Sequence, residues 1–264
     1  YTTGSYDGHE SIEYGELKKR TIFDHKVLLA GQLPKELGII KKLVNSLPHS
    51  WKDYISIKRG LNWQSKIQNY PGDTPIYRGA QLSPYCIAAA TDFVNLNRFA
   101  FREYDYLQKP KIINQLAIAH VKNPYPHFYV QAALDMENRI VFETVSCSFV
   151  KKPEIDIRFL LSINNSKLFA WILYKFVYSN AIRSTRYDEQ YIGRIPTPDL
   201  ASVDQKPFID LVDKILAITK DDDYLQNTAK QGKVRKYKKQ IDQLVYHLYG
   251  LTEEEIKIVE GQNQ

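Results

Sequence analysis

The sequence predicts an α+β fold: a β-rich part with one embedded apolar helix, followed by a C-terminal helical unit. Three observations carry that prediction. Between Trp51 and Arg158, short apolar runs alternate with Gly, Pro, Asn and Asp turn signals. From Phe159 to Tyr178, Leu160, Ile163, Leu168, Trp171, Ile172, Tyr174 and Phe176 recur at helical spacing, the wide stripe of a core-facing helix. After Leu200, apolar residues return in three–four alternation between capping residues.

Taken in order, Asp24 to Ala30 reads as a strand ending at Gly31. Residues 34–47 read as a helix with Leu37, Ile40, Leu43 and Val44 on one face, closed by Pro48. Tyr54, Ile55 and Ile57 alternate as a strand that ends in the basic turn Lys58-Arg59-Gly60. In Pro75-Ile76-Tyr77-Arg78-Gly79, the arginine beside a glycine sets a fork-shaped donor on backbone that can approach a partner closely. The plainer alternative is a surface charge at a turn. Residues 88–158 read as mostly β. Lys109-Pro110-Lys111 opens an apolar strand that continues to His120, and Phe128 to Leu134 forms a hairpin with Ile140 to Val150 about the turn 135–138.

The polar insert Asn164 to Lys167 interrupts the apolar helix, and its Asn and Ser residues suit an N-cap for a restart near Lys167. Beyond Tyr178 come Ser179, Asn180, Arg183, Ser184, Thr185, Arg186 and Tyr187, with no acid before Asp188. These are phosphate- and base-contacting types, expected to stay exposed on backbone held by the helix before them. Ile192 to Pro198 is predicted extended, because each proline drives its predecessor out of the helical region. Ser202 or Asp204 then caps a helix carrying Phe208, Leu211, Val212, Ile215 and Leu216, which Asp221 to Asp223 break. A second helix spans about Lys230 to Tyr249, Gly250 ends it, and Thr252 with Glu255 boxes the start of a last short one.

The totals bound the function. With 264 residues, 44% hydrophobic and 25% charged, the chain can bury a sizeable core. Net charge +6 and a pI of about 9.0 lean towards a polyanionic partner. Nineteen tyrosines supply stacking faces that suit nucleic acid or a β-rich core. The one methionine is Met136, which suggests a piece of a longer protein. Cys86 and Cys147 lack metal or redox spacing, the N-terminus is polar, and no apolar run reaches membrane-spanning length, so a soluble cytoplasmic protein is expected.

Catalytic patterns are missing. No two of the twelve glycines lie two apart, so neither a Gly-x-Gly cofactor loop nor a phosphate-binding loop is present. The six histidines show no metal spacing, and His120 and His127 read as hydrogen-bonding groups beside a proline-rich turn. Asp199 with Asp204-Gln205-Lys206 holds the letters of a metal-dependent nuclease, but with only four residues between them and Pro207 following the lysine. The run Lys230, Lys233, Arg235, Lys236, Lys238, Lys239 reads first as a solvated helix face and second as a phosphate track.

Several stretches together resemble a known family: Pro75, Ile76, Arg78, Gly79 and Leu82; the KPKI strand at Lys109; LLSINNSKLFAWIL from Leu160; RIPTPDL from Arg194; and IDQLVYHLYGLTEEEIKIVE from Ile241. They are similar to the TaqI-like C-terminal specificity domain of adenine-specific DNA methyltransferases and type IIG restriction–modification enzymes. The resemblance implies a DNA target-recognition domain over residues 51–202. It also implies a lead-in over 1–50 from a preceding catalytic domain, and a helical unit over 203–264 packed on the recognition domain. Its partners would be double-stranded DNA and an upstream methyltransferase domain of the same polypeptide. S-adenosylmethionine would belong to that missing domain, and no cofactor to this fragment. The family's Asn-Pro-Pro-Tyr motif is matched only by Asn123-Pro124-Tyr125-Pro126, which reads as a loop. No residue is assigned a catalytic role. The candidate DNA-binding residues are Lys58, Arg59, Arg78, Arg183, Arg186, Tyr187 and Arg194. A metal-dependent nuclease and a tyrosine-rich protein-interaction module stand as the alternatives.

Overall fold

A four-stranded antiparallel sheet divides the molecule into two cores. In this computed structural model, residues 2–6, 11–16, 33–68 and 73–262 are described. The sheet runs Ala132–Asp135, Lys111–Gln115, Val145–Val150 and Ile55–Arg59 in that spatial order. Successive side chains of a strand point to opposite faces. Ile112, Ala132 and Ile55 therefore enter the helix-covered core, while Ile113, Ala133 and Cys147 enter a second one with Trp63, Ile76 and Leu107. Four of the five residues of Lys111–Gln115 are buried, as a strand covered on both faces requires.

Chain order explains how the sheet is reached. The first described element is a hairpin of Thr2–Tyr6 on Ser11–Glu16. The strand expected at Asp24 to Ala30 lies outside the described residues. Pro34–Ser46 forms the expected helix, with Leu37, Ile40 and Leu43 buried. Its Glu36 is buried too and meets Lys175 at 2.7 Å. A charge in a dry interior is costly unless paired, so this contact limits how the helix can shift against the centre of the molecule. Gly60 ends Ile55–Arg59 where a Cβ would lie 2.2 Å from the Phe142 carbonyl oxygen, so no other residue fits without moving backbone.

The hairpin expected between Phe128–Leu134 and Ile140–Val150 does not form. Both segments flank Lys111–Gln115 instead. Asp135 redirects the chain: its carboxylate accepts from the N–H groups of Glu137 and Arg139, and Asn138 takes a left-handed φ of 57°. Ile140–Val141 is thereby sent to pair in parallel with Thr74–Tyr77. The single strand expected from Lys111 to His120 likewise breaks at Leu116, whose N–H donates to Thr144 and whose carbonyl accepts from Tyr187. Ala117–Val121 then joins a separate three-stranded sheet with His127–Tyr129 and Thr185–Arg186.

The apolar stretch becomes a broken helix. Ile157–Asn164 is capped by Asp156, and Lys167–Ile172 restarts on Ser166, whose hydroxyl accepts from the Phe169 N–H at 3.2 Å. It widens into a π turn over Leu173–Val177. The predicted extension of Ile192 to Pro198 is only half met. Glu189–Ile192 is a helical turn and Gly193 is still helical (φ −60°, ψ −14°), so extension begins after Ile195 and pairs Pro196–Thr197 with His49–Ser50. The prolines act on their immediate neighbours only.

Lys206–Thr219, Thr228–Leu248 and Glu253–Val259 cover the broken helix. Phe208 meets Phe159 edge-on at 4.8 Å, and Val212, Ile215, Ile241 and Val245 belong to the same apolar cluster as Leu160 and Leu168. The Asp242 carboxylate accepts from the Lys167 N–H at 2.8 Å. Thr252 and Glu255 satisfy each other's backbone N–H groups, and Gly250 ends the long helix at φ 65°. Ending the chain after Ser202 would bare this apolar face. Such a truncation is expected to lose its cooperative melt or to precipitate; a melt unchanged from the full chain would contradict this.

Candidate nucleic-acid interface

Two exposed arginines, Arg183 and Arg186, lie on a loop fastened at both ends. Ser179 and Asn180, both left-handed (φ 47° and 59°), turn the chain sharply out of the π turn. Ile182 is 76% exposed, and Arg183 and Ser184 follow on the surface. Thr185–Arg186 then adds to the edge of Ala117–Val121, with Arg186 opposite Ala117. The Tyr178 hydroxyl donates to the Arg186 carbonyl and closes the loop at its base. The backbone is thus positioned while the Arg183 and Arg186 side chains face solvent.

Tyr187 corrects the sequence reading. It was expected to be exposed beside the arginines and is only 1% exposed. Its hydroxyl donates to Asn164 Oδ1 at 2.8 Å, and its carbonyl accepts from Ser146 Oγ at 2.7 Å. Strand alternation accounts for this: with Arg186 pointing out, the next residue points in. Tyr187→Phe would leave Asn164 short of a donor at a buried site. It is expected to cost about 1–3 kcal/mol, read as a lower melting temperature, while leaving nucleic-acid affinity unchanged.

Lys58 and Arg59 are exposed at the end of their strand. The Lys58 ammonium lies 5.2 Å from the centre of the Tyr106 ring, and the Tyr106 hydroxyl donates to the Arg59 carbonyl at 2.8 Å. Burial pushes the Tyr106 phenol up to about 12, so it remains a donor at neutral pH. Arg59 Nε donates to the Glu143 carbonyl at 3.0 Å. The two basic segments are joined through the sheet. Arg59 stands opposite Ser146, whose hydroxyl holds the Tyr187 carbonyl, one residue from Arg186. The Glu189 carboxylate also accepts from the Ile57 N–H at 2.7 Å.

Arg78 does not present its fork to a partner. Nε donates to Asp92 at 2.7 Å, Nη1 to Gln64 at 3.3 Å, and the guanidinium lies 4.4 Å from the centre of the Phe142 ring. Gly79 gives close approach, but to this chain's own Thr144, where a Cβ would meet the carbonyl oxygen at 2.8 Å. These two residues hold the second core together. Arg194 is half-buried with its guanidinium 5.2 Å from the centre of the Tyr191 ring.

One patch escaped the sequence reading. Residues 96–107, in a stretch whose sequence reads as mostly β, form three 3₁₀ turns. Phe99 stacks on Trp63 at 3.6 Å, with the Lys66 ammonium 4.3 Å from its centre. Phe101 is left 62% exposed between the exposed Arg98 and Arg102. Tyr106, in the last of these turns, is the residue that holds Lys58 and Arg59, so the patch adjoins the basic strand end. The alternation Arg98-Phe99-Ala100-Phe101-Arg102 carried the signal, cations interleaved with aromatics.

The nuclease letters are in structural use. Asp199 caps a 3₁₀ turn by accepting from Ala201, and Lys206 pairs with Asp210 at 2.9 Å. Among the described residues no group of three or more His, Cys, Asp or Glu side chains is placed to hold a metal ion. Tyr54, Tyr85, Tyr174, Tyr187, Tyr224, Tyr246 and Tyr249 are buried, so these seven tyrosines contribute to the core. Cys86 and Cys147 are free and buried, and no described helix is long and apolar enough to cross a membrane.

Residues 74–197 match the family model of the TaqI-like C-terminal specificity domain. The span includes Arg78, Arg98, Phe101, Arg102, Arg183, Arg186 and Arg194, but not Lys58 or Arg59. No curated protein matches the chain. Two solved structures are similar in part. The HsdS subunit from Thermoanaerobacter tengcongensis shares 13% identity at a TM-score of 0.33, covering 87% of this chain and 53% of that one. A structure described as the basis of complex assembly and conformational transition of the type I R-M system shares 11% identity at a TM-score of 0.36, with the same coverages. The chain therefore spans about half the length of each.

Proposed function

From the match of residues 74–197 to the TaqI-like C-terminal specificity domain, we propose that this chain recognises a specific sequence in double-stranded DNA for a restriction–modification protein. The observation that carries this reading is the fastened loop 179–186. It sets Arg183 and Arg186 in solvent on fixed backbone, joined through the sheet to Lys58 and Arg59. A guanidinium can donate to both major-groove acceptors of guanine, or bridge phosphates, while Lys58 and Arg59 neutralise backbone charge and set register. Ile182, at the loop tip, offers apolar contact to a thymine methyl group.

The methyl transfer belongs, on this reading, to an adenine-specific methyltransferase domain upstream in the same polypeptide, which would hold S-adenosylmethionine. Type IIG members of the family join a nuclease to the same chain. The protein would act in the cytoplasm, where its DNA is. Fluorescence anisotropy with a labelled duplex tests the reading. Affinity should fall steeply and linearly in logarithmic terms with salt, since each neutralised phosphate releases counterions. Binding that scarcely responds to salt would support a protein-interaction module instead.

A further inference from the structure

The basic run of the helix Thr228–Leu248 divides on folding. Lys230 is neutralised by Asp221 at 2.9 Å and by Asp223. Arg235, Lys238 and Lys239, spaced to share one helix face, instead line a cleft of about 320 Å³. Among the described residues none of the three is in salt-bridge contact with a carboxylate. Asp242 is the one acid in the described lining, and its Oδ1 is taken by the Lys167 N–H. Burial lowers the Lys238 ammonium and raises the Asp242 carboxyl to about 6. Lys238 is half-buried beside Asp242, while Arg235 and Lys239 are exposed along the cleft, where their charge attracts an anion.

The facing wall is aromatic. Phe128, Trp171 and Tyr174 form its buried part and Tyr129, 42% exposed, its rim. The Trp171 indole N–H has no acceptor within the protein. A cleft of this size is within the range of small-ligand sites. Cations alone would suit any anion, and aromatic rings alone any apolar ligand. The combination suits a planar ring carrying a phosphate.

We propose that this cleft is a nucleotide-binding site, with the phosphate among Arg235, Lys238 and Lys239 and the base against the aromatic wall. The nucleotide could be free or an unpaired unit of a strand. His127–Tyr129, at the cleft, and Thr185–Arg186 are the two edges of one three-stranded sheet. They lie two strand spacings apart, about 10 Å, so a strand leaving a duplex held at Arg186 is within reach. The site does not depend on the duplex-recognition reading.

Calorimetry on the full chain tests this with dAMP, dTMP, deoxyadenosine, inorganic phosphate and the pentanucleotide of thymidine. Both mononucleotides should bind at least about tenfold more tightly than deoxyadenosine or phosphate alone. Arg235→Ala/Lys239→Ala should lose at least about tenfold for the nucleotides and spare most of the duplex affinity. Tyr129→Ala should weaken nucleotide but not phosphate. A pentanucleotide that binds much more tightly than dTMP identifies a strand as the source, and equal affinities a free nucleotide. No heat with either mononucleotide at millimolar concentration, equal binding of phosphate and nucleotide, or a double variant that loses duplex and nucleotide alike would overturn the proposal.

Discussion

Replacing Arg183 and Arg186 together by alanine is expected to weaken binding to the recognised duplex by about a hundredfold or more. Each guanidinium that meets guanine bidentately contributes about 1–3 kcal/mol of discrimination, and two such contacts combine to that order. The fold should survive, because both side chains are exposed and the loop is held by the Tyr178 hydroxyl rather than by either arginine. The loss also reports its own cause. Base contacts predict that the recognised sequence suffers most. Phosphate contacts predict a uniform loss with a shallower salt dependence. If the double variant kept the parent's affinity and sequence preference, the loop would not be the reading element.

A comparably large effect is expected in the core. Lys111 Nζ and Asp135 Oδ2 lie 2.5 Å apart with both side chains fully buried. Lys111 also donates to the Leu107 carbonyl at 2.8 Å, and Asp135 accepts from Arg139 and two backbone N–H groups. Asp135→Ala removes every one of the carboxylate's contacts and leaves a buried ammonium beside an arginine, so it should cost about 3–5 kcal/mol. Lys111→Met should cost less, because Arg139 still faces Asp135. For a chain of this size the alanine variant should melt about 10 °C or more below the parent. Thermal unfolding that ranks the two variants the other way would mean the ammonium, not the carboxylate, organises this corner.

Where local chemistry decided the structure, the sequence was legible. The Ser166 restart, the Thr252–Glu255 box, the Gly250 stop and the buried faces of Pro34–Ser46 and Lys206–Thr219 all rest on residues within a few positions of each other. What was misread depends on distant partners. The apparent hairpin about residues 135–138 fails because Asp135 is claimed by Lys111, twenty-four positions back, and Lys111–Gln115 takes both strands. Arg78 looked free because Asp92 and Phe142, which occupy it, are not its sequence neighbours. Tyr187 looked exposed beside Arg186, although strand alternation predicts that only one of two successive residues faces out. A β reading of the sequence around Arg98 to Arg102 hides its short 3₁₀ turns.

Sequence-specific duplex recognition is the central claim, and selection from a pool of random duplexes tests it most directly. The chain should retain duplexes that share one motif, and Arg183→Ala/Arg186→Ala should blur or erase that motif at some of its positions. Retention of the pool without enrichment, equally in parent and variant, would contradict the account and leave only non-specific attraction between a basic protein and a polyanion.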